Sequence, residues 1–258
     1  GTKNFPKNEL VNFLEKSGIQ FGADLNAYTS FDETVYMLPV PSDTLEKLDK
    51  YLMVLSEWAA NATLDPTEID KERGVVLEES RLRKGAQSRI QEKLYPAIFR
   101  GSRYAGRLPI GLDSIIQHAP YASVKKFHQD WYRPNLEAVI AVGDFDPAQV
   151  EAIIKKHFGA LKNPAKPKAR TEYSVPLKGG TEAVVITDKE QPYNMVQLFY
   201  MQPEKKEVTA NNRRESIMTS LFNSMISQRL RELTQKADPP FQVGMSSYSG
   251  FLGNLDAL

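Results

Sequence analysis

The sequence predicts an α+β fold in two layers, with partly antiparallel sheets packed against helices. Two observations predict it. A pair of strand-like runs near the start leads into long amphipathic helices, and the same order of strand pair then long helix returns after residue 180. A third observation sets the scale: 258 residues, 41% hydrophobic and 25% charged, suffice for one large domain or two of ordinary size.

The elements follow in order. KNELVNFLEKS, residues 7–17, spaces Leu10, Phe13 and Leu14 as a helix, with Gly18 as its stop. In residues 19–40, Phe21, Leu25, Ala27, Val35, Tyr36 and Leu38 suit strands, with SFDE as the turn. Ser42 or Asp43 caps a helix to about Ala60, striped by Leu45, Leu48, Leu52, Leu55 and Trp58. Asp65-Pro66 opens the next helix, which carries KERGVVLEESRLR, residues 71–83. A further helix runs from Gln87 to Phe99, and the Gly- and Pro-punctuated residues 100–120 read as a loop.

Tyr121–Trp131 is a short helix ended before Pro134. LEAVIAVGDF, 136–145, is a near-continuous apolar run and so predicts a buried strand. Residues 146–161 form a capped helix with Val150, Ile153, Ile154 and Phe158 inward. Residues 166–180, rich in Pro, Lys and Gly, predict a linker between a first domain, 1–165, and a second, 181–258. In the second, EAVVITD and NMVQLFYMQP read as strands, 209–236 as a long helix, and FQVGMSSYS as the start of another strand.

Composition excludes several functions. Lys+Arg 33 against Asp+Glu 32 leaves a net charge of +1, so no global field favours nucleic acid or an anionic membrane. With no cysteine there is no disulfide, thiol catalysis or cysteine metal site. No apolar run approaches the roughly 18 residues of a membrane span. His118, His128 and His157 form no H-x-x-E-H or H-E-x-x-H pair and read as surface or half-buried side chains. Serine-nucleophile elbows and phosphate-binding loops are absent.

Two stretches invite chemistry. Glu72 and Glu79 are seven apart on a predicted helix, about 20° from alignment, with Val75 and Val76 between them, so the pair reads as two carboxylates on the apolar stripe of the helix. A solvated helix explains them if Glu79 pairs with Arg83, and Glu78 reads as a surface residue. A metal explains them if one carboxylate is a ligand and the other its support. DLNAYTSFDETVY, 24–36, reads either as an ordinary hairpin or as an edge strand that accepts a substrate strand.

Taken in order, five stretches resemble the pitrilysin/insulinase-type inverted zinc metallopeptidases. Gly1-Thr2 resembles the end of that family's H-x-x-E-H-M-x-F-x-G-T segment, and FGADLNAYTSFDETVY its G…NA-T…T-Y hairpin. EIDKERGVVLEESR resembles the helix of the third zinc ligand, YASVKKFHQDWYRPNLEAVIAVGDFDP the F…W-Y-P-N…G-D passage, and ISQRLREL a helix of the second domain. The closest likeness is to the long bacterial two-half zinc proteases.

The resemblance implies a two-layer sheet-plus-helices domain followed by a partial second domain of similar fold. It implies that Glu79 is the third zinc ligand and that Glu72, in the catalytic set, supports the site. It implies that Asn26 and Ala27 lie on the edge strand that binds substrate backbone. Arg231 lies in a helix that binds substrate in some family halves, but the expected downstream tyrosine is not evident and no catalytic role is assigned to it.

The zinc histidines and the general-base glutamate of H-x-x-E-H would precede Gly1. The chain therefore reads as a fragment of a zinc metalloendopeptidase, with zinc in the parent but not stably bound here, and inactive alone. The alternative is a non-catalytic binding or scaffold subunit. Expected partners are a polypeptide substrate and the remaining half of the protein or a partner subunit. The resemblance places the parent in a bacterial periplasm or envelope.

Overall fold

The structure, a computed structural model, describes residues 1–7, 9–19, 26–177, 179–252 and 255–258. Its chain forms two compact units, one of residues 1–83 and 109–170, the other of 84–108 and 171–258.

The first unit is built on helix α2. Helix α1 (Glu9–Lys16) precedes the hairpin strands β1 (Asn26–Thr29) and β2 (Thr34–Met37), and α2 spans Leu45–Ala60. Apolar residues fall on two sides of α2 and make two clusters. Tyr51 and Val54 pack with Leu10, Leu14 and Ile19, with Trp58 at the margin. Leu48 and Leu52 pack with Val150 of α7 (Pro147–Phe158). α1 ends as expected, with Gly18 at φ +82° just past it, a backbone that favours glycine. The cap of α2 is Thr44, whose hydroxyl accepts from Lys47 N–H; Asp43, an expected cap, instead pairs with Lys47 Nζ at 2.6 Å. The expected strand residues Phe21 and Leu25 lie outside the described residues.

Glu57 is a carboxylate only 2% exposed in the middle of this unit. It accepts from the Asn4 backbone N–H (2.8 Å), the Asn4 amide (3.0 Å) and the Asn61 amide (2.7 Å). Those bonds satisfy a group whose burial would otherwise be costly, and they fix residues 1–5 along the end of α2. A bridge between Thr2 and Ala62 continues the attachment.

Helix α3 (Pro66–Arg83) is followed in this unit by α5 (Asp113–His118) and α6 (Tyr121–Trp131). The expectation of a loop through 100–120 is corrected here. Asp113–His118 is helical, with Asp113 accepting from the Ser80 hydroxyl at 2.8 Å. Residues 103–106 form a 3-10 turn. Short helical turns survive Gly and Pro punctuation when their ends are bonded from elsewhere.

The expected buried strand at 136–145 is also corrected. No strand forms there, and Ile140 and Val142 are 83% and 91% exposed. Apolarity marks a segment that wants cover, but a strand needs a neighbour to pair with, and none is found among the described residues.

The second unit holds α4 (Ala86–Ile98), β3 (Met201–Pro203), α8 (Ala210–Thr234), β4 (Ser249–Leu252) and β5 (Leu255–Ala257). Its sheet is antiparallel in the order β3-β5-β4. Phe99 is 2% exposed, against Tyr95, Tyr104 and Phe251. Arg89 bonds both oxygens of Asp188 at 2.7 Å and reaches Glu190 at 2.8 Å, tying α4 to the later chain. The long helix is confirmed, opened by a Thr209–Asn212 capping box. EAVVITD forms no strand, and NMVQLFYMQP does so only at its end; Val185 and Val196 are 90% and 87% exposed. FQVGMSSYS pairs only from Ser249.

Candidate functional site

The first candidate is the hairpin. β1 and β2 pair antiparallel with Asn26 opposite Met37, Ala27 opposite Tyr36 and Thr29 opposite Thr34. Ser30 N–H donates to Glu33 O at 2.9 Å and closes the SFDE turn. Hydrogen-bonded and non-bonded pairs alternate along such a ladder. Since Ser30 and Glu33 are bonded, so are Tyr28 with Val35 and Asn26 with Met37. The N–H and C=O of Ala27 and Thr29 therefore turn away from β2, toward the open edge of β1.

All four residues of β1 are exposed, and among the described residues β1 pairs with no strand but β2. The edge has one feature that the sequence did not disclose. Asn26 Oδ1 accepts from Ala27 N–H at 2.8 Å. The side chain of Asn26 thus occupies the donor that an added strand would use first.

The second candidate is α3. Its inward stripe is Ile69, Arg73, Val76, Leu77 and Ser80, of which only Ser80 is fully buried. Arg73 is anchored by donating to the backbone oxygens of Ile116 and of Ala119, the latter at 2.5 Å. Glu72 and Glu79 do share a face, but it is the outward one, with Val75 60% and Leu82 75% exposed beside them. Lys71, Gly74, Val75, Glu78, Glu79, Leu82 and Arg83 line an open depression of about 740 Å³ along it.

Glu79 pairs with Arg83 at 2.6 Å, both side chains largely exposed. Glu78 pairs with Arg81 at 2.8 Å and is a surface residue, as expected. The Arg81 guanidinium holds the Glu78 carboxyl below the usual carboxylate range.

A catalytic zinc site takes three protein ligands and one open position. Among the described residues no three His, Asp or Glu side chains gather in a ligand-like group. The described residues by themselves do not supply a three-ligand zinc site, and no reaction step through a metal is derived from them. α3 carries the two carboxylates Glu72 and Glu79 on its outward face. The structure does not bring the hairpin residues Asn26 and Ala27 into one cluster with them.

Arg231 is exposed and lines a polar depression of about 600 Å³ in the second unit, with Asn223, Ser227 and Ser246 among its neighbours. Asn223 bonds both backbone groups of Tyr248, at 3.0 and 2.9 Å, in the manner of a neighbouring strand.

Comparison with known proteins agrees with the order of motifs. Residues 1–109 match the family described as Insulinase (Peptidase family M16), and residues 118–252 match the one described as Peptidase M16 inactive domain. The chain is 35% identical over 241 residues to a zinc protease PQQL-like of Arabidopsis thaliana, covering 93% of this chain and 25% of the relative. It is 33% identical over 239 residues to a probable zinc protease PqqL of Escherichia coli, covering 92% of this chain and 26% of the relative. The solved structure of the periplasmic protease PqqL from Escherichia coli superposes with a TM-score of 0.85 at 31% identity, over 100% of this chain and 28% of that one. The chain thus spans about a quarter of the length of the curated relatives it matches. With matches to its family along both parts of the sequence, the chain belongs to peptidase family M16, the insulinase family.

Proposed function

We propose that this chain is part of the first half of a zinc metalloendopeptidase that cleaves polypeptides, and that it hydrolyses nothing by itself. The observation that carries the reading is the outward face of α3. Glu72 and Glu79 stand there together on a helix anchored from behind through Arg73, and an exposed Arg83 pairs with Glu79. Such a pair is worth a few tenths of a kcal/mol, so a metal would displace it at little cost. Glu79 is the ligand that this chain contributes. Glu72 supports the site from one face-repeat away. Histidine ligands and the general base lie on another part of the protein.

The hairpin supplies the second function. A substrate in extended form adds to β1, taking the C=O of Ala27 and the groups of Thr29, while Asn26 Oδ1 gives up the Ala27 N–H. In sequence order, residues 1–165 carry the zinc-bearing domain, 166–180 a linker and 181–258 the start of a non-catalytic domain, although 84–108 fold with the second compact unit. Its likeness to a periplasmic protease supports a periplasmic or envelope location for the parent.

A second reading, a non-catalytic binding or scaffold subunit, is favoured by one observation: the Glu79–Arg83 ion pair satisfies Glu79 without a metal. The test is peptide cleavage by the full-length protein and by this chain, with and without a chelator. Chelator-sensitive cleavage by the full-length protein alone supports the protease. No cleavage by either supports the scaffold.

A further inference from the structure

Tyr36 ties the hairpin that carries Asn26 and Ala27 to the rest of the first unit. Tyr36 lies opposite Ala27 in the ladder, so the two side chains stand on one face of the hairpin. From that face the Tyr36 hydroxyl meets the Tyr132 hydroxyl at 2.8 Å, and the two rings are edge-on at 6.4 Å. The Tyr36 ring also lies 6.2 Å from the ring of Trp58 on α2.

Tyr132 is itself fixed. It caps α6, its backbone N–H donating to His128 O at 2.9 Å. Its ring stacks on the His128 ring, 4.3 Å between centroids and 12° from parallel. His128 bonds the Trp58 backbone, while its Nε2 is buried without a partner among the described residues. Burial pushes the His128 pKa down and keeps the ring neutral against Tyr132. The contacts run in a closed circuit: Tyr36 to Tyr132, Tyr132 to His128, His128 to Trp58, and Trp58 back to Tyr36. Strand, capped helix end and central helix meet there.

We propose that the Tyr36–Tyr132 hydroxyl pair is a latch that sets the position of the β1 edge, making both tyrosines positioning residues for substrate binding. Neither touches the substrate strand. They act through the hairpin, by fixing where the backbone groups of Ala27 and Thr29 stand. The inference rests on the reading of β1 as the substrate edge. Partial burial and the Tyr132 hydroxyl push the Tyr36 pKa up, so the hydroxyl stays protonated and the latch stays made at ordinary pH. Among the described residues, the hairpin strands pair over four residue pairs. A two-stranded hairpin is marginal in water by itself, so its position depends on what it packs against.

The test uses the full-length protein with Tyr36→Phe, Tyr132→Phe and the double variant. Two readouts are taken: amide hydrogen exchange, and kcat and KM separately on an unstructured quenched-fluorescence peptide. The latch predicts faster exchange over residues 26–37, with α2 and α6 unchanged. It predicts a KM raised roughly fivefold, the factor that one neutral hydrogen bond is worth, with kcat within twofold. The double variant should match the singles, because all three lose the same bond. Unchanged exchange in the hairpin overturns the proposal. So do effects on KM that multiply in the double variant, or faster exchange throughout the first unit. If the wild-type protein cleaves no peptide, the protease reading fails, and hydrogen exchange alone decides whether the latch exists.

Discussion

Glu57 of α2 accepts both the backbone N–H and the side-chain amide of Asn4, at 2.8 and 3.0 Å, from a position only 2% exposed. Together with Asn61 this makes three donors on one carboxylate. Truncation to alanine leaves those donors buried or half-buried without an acceptor. Glu57→Ala should lower the unfolding free energy by about 3 kcal/mol, and Glu57→Gln, which keeps one acceptor oxygen, by less. Urea denaturation of the chain checks both. A change below about 0.5 kcal/mol for alanine, the level of an ordinary surface substitution, would refute the role given to Glu57.

Gly74 lies inside α3, and a Cβ added there would meet nothing within 4 Å. Its helical backbone suits alanine. Gly74→Ala should therefore stabilise the chain by about 0.5–1 kcal/mol, read as a higher urea midpoint at constant slope. A lower midpoint would mean that the space beside Gly74 is occupied in solution.

Arg89 bonds both oxygens of Asp188 and holds that carboxyl well below the usual carboxylate range; the Glu190 N–H adds to the effect. A carboxylate with a depressed folded pKa contributes stability above its unfolded value, about 3.9, and loses it as pH falls through the folded one. Asp188→Asn should lower the Tm of the second unit at pH 6, and its difference from wild type should shrink only below about pH 4. A difference that stays constant from pH 6 to pH 3 would contradict the assignment.

Ile140, Val142, Val185 and Val196 are each more than four-fifths exposed in segments without regular secondary structure. Exposed apolar segments favour association. The chain alone should show a light-scattering mass that rises with concentration, and Ile140→Thr with Val142→Thr should reduce that rise. A concentration-independent monomer would show that these segments are covered within the chain.

The helices were legible because their signals are local. Pro66 opens α3, Asp146 caps α7 with bonds to Ala148 and Gln149 N–H, and α6 runs from Tyr121 to Trp131 as expected. α5 was not legible, since its support comes from Ser80 on another helix. The strands were half legible. SFDE closes a hairpin through neighbours in sequence, whereas 136–145 and 182–188 need distant partners that apolarity cannot name. The two carboxylates of α3 were found by spacing, but the apolar stripe assigned to them from Val75 and Val76 is not the inward face. The inward face proved to be that of Arg73 and Ser80. The tyrosine latch joins residues 96 apart and left no sequence signal.

The most direct measurement is zinc content and peptide cleavage of the full-length protein beside its Glu79→Gln variant. One bound zinc and cleavage in the wild type, both lost or sharply reduced in the variant, is the predicted result. Zinc and cleavage that survive the substitution would contradict the role of Glu79. A wild type with neither would leave Glu72 and Glu79 as surface carboxylates and the chain as part of a scaffold.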